Sequence, residues 1–368
     1  DRAGRLVDQR QRPMEDLVNP AFWRGRRVFL TGHTGFKGSW LSLWLQSMGA
    51  EVHGYALAPE TNPALFEVAD VARGMHSTLG DVRDDAALHA TMAAARPEIV
   101  LHLAAQPLVP LSYAAPVDTF ATNVMGTVHL LEACRRVPGI RAVVVVSSDK
   151  CYENREQAQG YRESDPMGGH DPYSASKGCT ELVVASYRRS FLAAQGIHVA
   201  SARAGNVIGG GDWTPSRLVP DVLTAFAAGN PVTLRNPGAI RPWQHVLEPL
   251  SGYLLLAQRL VESGPAVAEG WNFGPDDSDA KTVAWVVERL AEGWGPDARW
   301  AVADTPQVHE THTLKLDCSK ARDRLDWRPR WHAGEAVARS LAWHRAWRSD
   351  ADMQRYTLDE IVAFGSPP

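Results

Sequence analysis

The sequence predicts an α/β fold in which a doubly wound parallel sheet carries a smaller C-terminal α/β lobe. Apolar runs with strand character alternate with helical patterns as far as residue 205, as in a parallel sheet with helices on both faces. A glycine-rich segment follows the first strand and opens the first long helix. From residue 206 the segments become shorter and rich in Pro, Gly, Trp and Arg, which indicates a second unit.

Composition is that of an ordinary globular protein of about two domains. The 368 residues are 45% hydrophobic and 22% charged, and the net charge of −4 gives no general attraction for nucleic acid or an anionic membrane. Four cysteines without a Cys-x-x-Cys pair predict reduced thiols in a cytoplasmic protein. No apolar run reaches the ~20 residues of a membrane span. We therefore expect no nucleic-acid partner, no membrane partner and no metal.

The turn after the first strand has the composition of a dinucleotide-binding loop. Its glycines are spaced Gly-x-x-Gly-x-x-Gly between an apolar strand and a helix, as in the short-chain dehydrogenase variant of this loop. Glycines let the backbone approach a pyrophosphate, whose charge is met by the free amides and positive dipole of the helix N-terminus. We predict a Rossmann-type domain that binds NAD through Gly32, Thr34, Gly35, Phe36, Lys37 and Gly38.

Later strands supply the rest of the predicted cofactor site. The second strand, residues 51–57, ends in neither an acidic residue nor an arginine, so it does not settle the choice between NAD and NADP. Asp81 after the third strand either bonds the adenine amino group or caps the helix that begins at Asp85. The fourth strand ends in small residues, which allow a flat cofactor to approach. The further predicted contacts are Asp81, Val82, Leu103, Ala104, Ala105, Gln106, Asn123, Tyr173 and Lys177.

Residues 141–177 carry the candidate catalytic groups. Residues 142–146 are predicted to form a buried strand that ends in Ser148, Asp149 and Lys150, at the edge where open α/β sheets hold their chemistry. Tyr173 and Lys177 lie four residues apart in a helical pattern and so share one face. Because a tyrosine ordinarily titrates near pH ~10, a neighbouring ammonium is needed to stabilise its phenolate. Such pairs are common on exposed helices, and it is the position beside the strand end that indicates proton abstraction from a hydroxyl.

Arginines characterise the predicted lobe. The guanidinium fork suits phosphate oxygens, although a surface ion pair explains any single arginine equally well. The predicted substrate contacts are Asn206, Arg217, Arg235, Arg241 and His245. We assign residues 21–205 to the NAD-binding domain, to which 246–274 returns, 206–245 and 275–368 to the substrate-binding lobe, and 1–20 to a flexible extension.

Six segments together resemble the CDP-glucose 4,6-dehydratase branch of the extended short-chain dehydrogenases. They are residues 31–38, 104–109, 148–152, 173–177, 205–213 and 241–245, and the similarity extends from about Phe22 to Trp347. The glycine loop and the Tyr-x-x-x-Lys pattern are shared by many relatives. The parts specific to the CDP-glucose 4,6-dehydratase branch are residues 241–248 and the pair Asp149-Lys150. Other sugar-nucleotide dehydratases carry Asp-Glu at the position of this pair.

The resemblance implies that CDP-D-glucose is converted to CDP-4-dehydro-6-deoxy-D-glucose, a step in deoxysugar synthesis for lipopolysaccharide O-antigen. Tyr173, aided by Lys177 and Ser148, would remove the 4-hydroxyl proton while hydride leaves C4 for NAD. Lys150 would take the C5 proton and Asp149 would protonate the departing 6-hydroxyl, before hydride returns to C6. These roles need a raised pKa for Asp149 and a lowered pKa for Lys150, which burial would provide, although an adjacent Asp and Lys favour an ion pair.

Other interpretations share part of this site. A sugar-nucleotide 4-epimerase would use the same loop, tyrosine and lysine but has no need of an acid and a base for elimination, and a dehydratase could act on another nucleotide-glucose. A non-catalytic NAD-sensing protein would have no use for these catalytic groups together. Two helices that are apolar on more than one face predict a homodimer or homotetramer; their apolar residues are Val128, Leu130, Leu131, Cys134, Leu182, Val183, Val184 and Tyr187.

Overall fold

The computed structural model describes residues 18–303 and 314–366. Its strands are β1 (Arg27–Thr31), β2 (Glu51–Ala56), β3 (His76–Leu79), β4 (Ile99–His102), β5 (Ala142–Val146), β6 (His198–Arg203), β7 (Val207–Ile208), β8 (Val232–Leu234), β9 (Ile240–Pro242), β10 (Gln244–His245), β11 (Gly270–Asn272), β12 (Ala280–Thr282) and β13 (Trp300–Val302). Its α-helices are α1 (Pro20–Trp23), α2 (Phe36–Ser47), α3 (Leu65–Val68), α4 (Asp85–Ala95), α5 (Val109–Ala114), α6 (Pro116–Phe120), α7 (Gly126–Arg136), α8 (Pro172–Tyr187), α9 (Leu218–Ala227), α10 (Leu247–Ser263), α11 (Val283–Trp294), α12 (Ser319–Leu325), α13 (Ala333–Arg348) and α14 (Met353–Gly365).

The central sheet has seven strands in the order β11-β6-β5-β4-β1-β2-β3, and every pairing in it is parallel. The chain starts in the middle at β1, builds outward to β3, and then crosses back to β4 and builds in the other direction. The predicted doubly wound α/β fold is therefore confirmed. In such sheets ligands bind where the strand order reverses, which here is the carboxyl edge of β1 and β4.

Strand β5 shows why the sequence folds into a sheet covered on both faces. Val144 packs in the core on one face, while Val143 and Val145 pack in the core on the other. Fully burying a valine side chain is worth about 1.5–3 kcal/mol relative to leaving it exposed. A run of alanine and valine is therefore stable here only because helices cover both sides.

The helices that cover the sheet also place the candidate catalytic residues. On one face of the sheet, α2 and α10 pack in the larger hydrophobic core. On the other face, α4, α7 and α8 pack in a second, smaller core. Asp171 caps α8 by accepting a hydrogen bond from the Ser174 amide at 2.9 Å, and Pro172 occupies the first helical position. This cap puts Tyr173 and Lys177 in the first two turns, and α8 packs against the turn Asp149–Cys151 that follows β5.

A separate hydrophobic core lies in the C-terminal lobe. It is formed by α9, α11 and α13 together with short strands, and three two-stranded ladders, β10-β7, β12-β9 and β13-β8, lie outside the main sheet. Helix α14, predicted to belong to this lobe, instead packs on α2, where the Trp44 and Phe364 rings meet edge to face at 5.7 Å. Trp327 likewise lies in the main core. The end of the chain thus belongs partly to the larger domain.

Residues 246–274 pack with the main domain. Helix α10 packs in the main core, and β11 pairs with β6 at the edge of the sheet. Residues 1–17 of the predicted extension lie outside the described residues, but Val18 is buried and Asn19 caps α1. All four cysteines are described, and none forms a disulfide. Among the described helices, none combines the length and the apolar character that crossing a bilayer requires.

Candidate active site

The turn from β1 to α2 packs too closely for side chains at two of its three glycines. Gly32 has a φ of +77°, and a Cβ there would lie 2.8 Å from the Ala104 amide nitrogen. A Cβ on Gly38 would lie 2.0 Å from the Gly32 oxygen. Gly35 is different: it is exposed, and its Cβ would meet only the Gly32 oxygen at 3.5 Å. The protein itself thus needs Gly32 and Gly38, and the open space lies at Gly35, the N-cap of α2.

Neighbouring side chains fix this turn to β2 and β3. His33 Nε2 lies 2.7 Å from Ser77 Oγ, and the Thr34 hydroxyl donates to the Leu57 carbonyl at 2.8 Å. Burial lowers the pKa of His33 to about 4, so the ring is neutral at physiological pH. Thr34, predicted to contact the cofactor, therefore uses its hydroxyl within the protein.

The other predicted cofactor residues line the same edge of the sheet and differ in their burial and in their hydrogen bonds. Asp81 is bonded by Arg83 at 2.6 Å, which holds its pKa below the ordinary range. Asp84, through a 3.0 Å bond from the Ala87 amide, is the cap of α4, so the alternative role considered for Asp81 is wrong. The half-buried segment Leu103, Ala104, Ala105 and Gln106 follows β4, and buried Val82 packs on Gly126.

Asn123 supports this segment from behind. Its side-chain oxygen accepts from the Gln106 amide at 2.8 Å, and its Nδ2 donates to the Gln106 carbonyl at 3.1 Å and to Ser176 Oγ at 2.9 Å. The residue is only 2% exposed. These bonds use its amide group fully, so Asn123 shapes the cofactor loop rather than presenting a free group to a ligand.

Tyr173 and Lys177 are both buried beside the end of β5. The Lys177 Nζ lies 6.0 Å from the centre of the Tyr173 ring and 3.4 Å from the Val146 carbonyl oxygen. Burial raises the pKa of Tyr173 to about 12, against a lowering effect of its hydrogen bond with Ser148. Burial lowers the pKa of Lys177 to about 8, opposed by Cys151 and Glu181. A phenol and an amine thus share one desolvated pocket.

Asp149 and Lys150 lie in very different surroundings. Asp149 is 4% exposed; its carboxylate accepts from the Ser148 hydroxyl at 2.9 Å and from Asn206 Nδ2 at 3.3 Å. Gly205 packs directly on it, since a Cβ there would lie 1.9 Å from Asp149 Oδ2. Lys150 is exposed. The burial on which its predicted role as a base depends is therefore absent.

Charged groups converge at the mouth of the site. Burial lowers the pKa of Lys37 to about 7, and the positive charges of Arg217 and Lys177 add to the effect, while Asp149 and Asp212 oppose it. Arg217 is ion-paired to Asp212 at 3.0 Å. The three cations and two carboxylates leave a positive excess, which suits a pyrophosphate.

Two other predicted arginines lie elsewhere in the lobe. Arg235 is exposed just after β8, and half-buried Arg241 donates to the Ile240 carbonyl at 2.9 Å in β9. Neither observation tests a substrate contact, and both residues stay predictions.

His245 does not have the position predicted for a substrate contact. It is fully buried, with its ring 5.9 Å from that of Trp40 and 4.9 Å from that of Trp331. Its Nε2 lies 3.2 Å from Glu360 Oε1 on α14. The prediction is wrong in this structure because the side chain joins β10 to the main core instead of facing the site.

Sequence reasoning missed three polar residues behind or beside the catalytic groups. Glu181 and Arg203 form a buried pair at 2.7 Å. Tyr253 is fully buried near Lys37, whose Nζ lies 5.9 Å from its ring centre, and its hydroxyl has no hydrogen-bond partner among residues 18–303 and 314–366. Glu181 lies four residues after Lys177, so extending the Tyr-x-x-x-Lys spacing by one turn would have found it.

These features fit a dinucleotide cofactor. The open glycine at the start of α2, which has no side-chain cap, leaves backbone amides for a pyrophosphate, and Asp81 follows β3, two strands along the same edge, for an adenosine. The small residues after β4 lead to the buried Tyr173 and Lys177, where a nicotinamide would meet a substrate hydroxyl. Fold and site define an enzyme of the extended short-chain dehydrogenase class.

Comparison with known proteins gives the family. Residues 29–340 match the family model described as GDP-mannose 4,6 dehydratase, and the chain belongs to that family. It is 56% identical over 355 residues, covering 95% of this chain and 99% of the relative, to the CDP-glucose 4,6-dehydratase of Salmonella typhimurium. It is 32% identical over 279 residues, 72% of this chain and 75% of the relative, to the dTDP-glucose 4,6-dehydratase of Streptomyces antibioticus.

Solved structures agree with the fold. A UDP-glucose-4-epimerase from Stenotrophomonas maltophila, with bound NAD and a formylated UDP-arabinopyranose, superposes with a TM-score of 0.78 at 22% identity and covers 89% of this chain and 100% of its own. The dTDP-glucose 4,6-dehydratase of Streptomyces venezuelae, with NAD bound, gives 0.73 at 25% identity and covers 89% and 99%.

Replacing Gly35 or Gly38 of the first turn with alanine should have different effects on the protein. In Gly35→Ala the new methyl meets little of the protein, so the unfolding temperature should stay close to the parent's while NAD binds about tenfold more weakly. In Gly38→Ala the methyl strikes the Gly32 carbonyl, so the protein should lose about 1–3 kcal/mol of unfolding free energy as well. Calorimetric titration with NAD and thermal unfolding measure the two effects.

Gly334→Ala is the control, since a Cβ at this position in α13 meets no atom within 4 Å. It should leave the NAD affinity unchanged and should not lower the unfolding free energy, because alanine favours a helix more than glycine does. Parent-like NAD affinity in Gly35→Ala would show that the cofactor does not approach this turn.

Proposed function

We propose that the protein is an NAD-dependent dehydratase that converts CDP-D-glucose to CDP-4-dehydro-6-deoxy-D-glucose and water. The observation that carries the proposal is the buried Asp149, held by Ser148 and Asn206 next to the Tyr173-Lys177 pair. The 56% identity to a CDP-glucose 4,6-dehydratase over nearly the whole chain supports the same reaction and the choice of CDP.

The first half of the proposed reaction uses the pocket of Tyr173. Bound NAD supplies the oxidant, accepting hydride from C4 and later returning it to C6. Tyr173, as phenolate, takes the proton of the 4-hydroxyl, and buried Lys177 and Ser148 stabilise the negative charge. Because burial raises the pKa of Tyr173, this step depends on positive charge in the completed site. Arg217 lowers this pKa by its charge, and the Lys177 Nζ lies 6.0 Å from the centre of the Tyr173 ring.

The second half uses Asp149. A 4-ketone acidifies the C5 proton, and loss of this proton expels the 6-hydroxyl as water once Asp149 has protonated it. Burial and the neighbouring Gly205 restrict the access of water to the carboxyl group, which leaves the substrate hydroxyl as its partner in the closed site. Lys150 remains the proposed base for C5 on the resemblance alone, because its side chain is exposed in the structure.

The nucleotide diphosphate is proposed to lie along the lobe. Arg217 faces the charge cluster with Lys37, and Arg235 and Arg241 extend along β8 and β9 of the same lobe. Guanidinium groups match phosphate oxygens, so these arginines are the proposed diphosphate ligands. The four unpaired cysteines suit a reducing compartment, and we propose a cytoplasmic location.

An epimerase would share the fold and the Tyr173-Lys177 pair, and the epimerase superposition reflects the fold alone. It would not need a desolvated carboxyl group bonded at both oxygens beside the tyrosine. This difference favours elimination.

Asp149→Asn should separate the two halves of the reaction. The amide keeps the shape but cannot protonate the leaving hydroxyl, so turnover of CDP-glucose should fall by about 10² to 10⁴. Oxidation at C4 should survive, and the absorbance of reduced nicotinamide should build up after mixing. Tyr173→Phe should show no such absorbance. Stopped-flow absorbance and the ultraviolet band of the 4-keto product in base measure both halves.

The parent protein provides the control, assayed with CDP-, dTDP-, UDP- and GDP-glucose in parallel. If another nucleotide-glucose gave a 4-keto product and CDP-glucose gave none, the assignment of CDP-glucose as the substrate would be wrong. Normal turnover by Asp149→Asn would contradict the acid role.

A homodimer or larger homo-oligomer is also proposed, on a surface that keeps Leu182 of α8 from the predicted one and differs in the rest. Val184, Leu130, Leu131 and Cys134 are buried in the subunit core. Several exposed apolar residues lie on α5, α6 and α8 or next to them: Leu111, Tyr113, Val117, Phe120, Met125, Leu182 and Phe191. Helices α5, α6 and α8 contact one another, so much of this surface is continuous. A second copy of the chain would cover it with the same residues.

Val117→Glu combined with Leu182→Glu should convert the oligomer to a monomer. Both side chains are more than half exposed, so the charges cost little in the subunit and much in an interface. Light scattering at micromolar concentration measures the mass. Val362→Glu, equally exposed on α14, is the control and should keep the oligomer. A monomeric parent would contradict the proposal.

A further inference from the structure

The Glu181 carboxylate is the centre of a buried hydrogen-bond cluster behind the catalytic groups. One oxygen accepts from the Ser147 hydroxyl and from Arg203 Nε at 2.9 Å. The other accepts from the Ser201 hydroxyl at 2.6 Å and from Arg203 Nη2 at 2.7 Å. Both Glu181 and Arg203 are 5% exposed or less. Four donors from β6 and from the residue after β5 thus converge on one carboxylate of α8.

This cluster joins the two segments that carry the catalytic groups. Ser147 directly precedes Ser148 and Asp149, and Glu181 lies one turn of α8 after Lys177. The backbone at Ser147 is also held, since its amide donates to the Ala202 carbonyl at 2.9 Å. The hydroxyl of Ser147 therefore adds a buried bond between the catalytic end of β5 and the catalytic helix, beside the contact of Lys177 with the Val146 carbonyl and the bond between Tyr173 and Ser148.

The cluster continues to the lobe side of the sheet. Arg203 Nη1 donates to the Tyr152 hydroxyl at 2.7 Å, which donates to Asn272 Oδ1 at 2.7 Å. Tyr152 follows the turn Asp149–Cys151. The segment from Ser147 to Tyr152 is thus tied at both ends to Glu181, directly and through Arg203.

We infer that Glu181 is a positioning residue that fixes the Ser148-Asp149 turn against Tyr173 and Lys177 through its bond with Ser147. The catalytic consequence rests on the proposed dehydratase function. The alternative is that the cluster only stabilises the fold, as a buried ion pair with satisfied hydrogen bonds also would.

Two serines give a matched test. Ser147 and Ser201 are both buried, and both hydroxyls donate to Glu181, but only Ser147 lies next to Asp149. Ser147→Ala and Ser201→Ala should lose similar unfolding free energy. Because a small misplacement of an acid costs up to about 10²-fold in rate, Ser147→Ala should lose about 10- to 100-fold in kcat with KM for CDP-glucose unchanged, and Ser201→Ala should keep kcat close to the parent's.

Crystal structures of both variants supply a readout that does not depend on the substrate. In Ser147→Ala alone, the Asp149 carboxyl should leave its contacts with Ser148 and Asn206. Ser147→Thr, which restores the hydroxyl, should restore both position and kcat. An unmoved Asp149, or equal effects of the two alanine variants, would overturn the inference. Failure of the parent on CDP-glucose would overturn the proposed substrate instead, and the Asp149 positions would still decide the inference.

A second cluster, far from this site in the sheet, carries the side chains of a metal site. Glu51 and His53 lie two residues apart on β2 and therefore on one face, and His76 on β3 is the register partner of His53. Their ligand atoms lie within 4.8 Å of one another, and His53 Nε2 is 3.0 Å from Glu51 Oε1. No ion-pair partner of Glu51 other than His53 occurs in the described ranges, 18–303 and 314–366.

We propose that Glu51, His53 and His76 bind one divalent transition-metal ion, contrary to the expectation of no metal. Two imidazoles and a carboxylate form a ligand set that Zn²⁺ accepts, with water in the fourth position. The His53 and His76 rings stack with their centroids 4.5 Å apart and their planes 16° apart, so one ring has to turn for both nitrogens to bind the same ion. Edge strand β3 pairs only with β2 and is exposed along its length. A metal bridging His53 and His76 would tie this strand to the sheet.

Titration of the protein with Zn²⁺ by calorimetry tests the site. Binding should raise the unfolding temperature as the Zn²⁺ concentration exceeds Kd. His76→Ala should bind one ion fewer than the parent and lose that rise, whereas His170→Ala, at an exposed histidine outside the cluster, should retain both. The same stoichiometry in His76→Ala and the parent would overturn the proposal.

Discussion

The ion pair between Glu181 and Arg203 is the contact on which the catalytic edge of this protein depends. It joins α8 to β6, and through Ser147 to the end of β5. Removing one partner of such a buried pair typically costs about 3–5 kcal/mol, because the other charge is left without compensation. Here the Nε, Nη1 and Nη2 groups of Arg203 each have an acceptor and both oxygens of Glu181 accept hydrogen bonds, so the pair fixes the relative positions of α8, β6 and the end of β5 as well as contributing stability.

Burial then sets different proton affinities on groups that lie within one small region. It raises the pKa of Tyr173 to about 12 and lowers those of Lys177 and Lys37 to about 8 and 7. In each case the neutral form is favoured because charge is poorly solvated in the protein interior. An anionic ligand near Lys37 and Arg217 would favour the charged lysine again. The proton affinity of the site and the binding of a pyrophosphate are therefore coupled.

The lobe is attached to the sheet by aromatic packing around a buried histidine. His245 ends the short ladder β10-β7 and contacts Trp40 of α2 and Trp331 before α13. Glu360 of α14 also lies against His245, with its Oε1 3.2 Å from His245 Nε2. These contacts join the lobe segment that carries β9 and β10 to α2, the helix that begins at the glycine turn, and to α14.

The doubly wound sheet, the glycine turn and the pairing of Tyr173 with Lys177 follow from the amino-acid sequence without any knowledge of the structure. These features depend on local patterns: β-branched runs, three-residue glycine spacing, and two residues one helical turn apart. Ala142–Val146 has the same bounds as the predicted strand for this reason. Asp84 was missed as the cap of α4 because two aspartates three residues apart have the same local preference.

Which polar side chains face the site depends instead on tertiary packing. His245 and Arg217 belong to similar segments, yet the first is buried under two tryptophan rings and the second faces Lys37. Asp149 is buried and Lys150 exposed although they are adjacent, because a short 3₁₀ turn directs their side chains apart. Such outcomes depend on contacts between residues far apart in the chain, as between Asn206 and Asp149, and local sequence preference does not contain them.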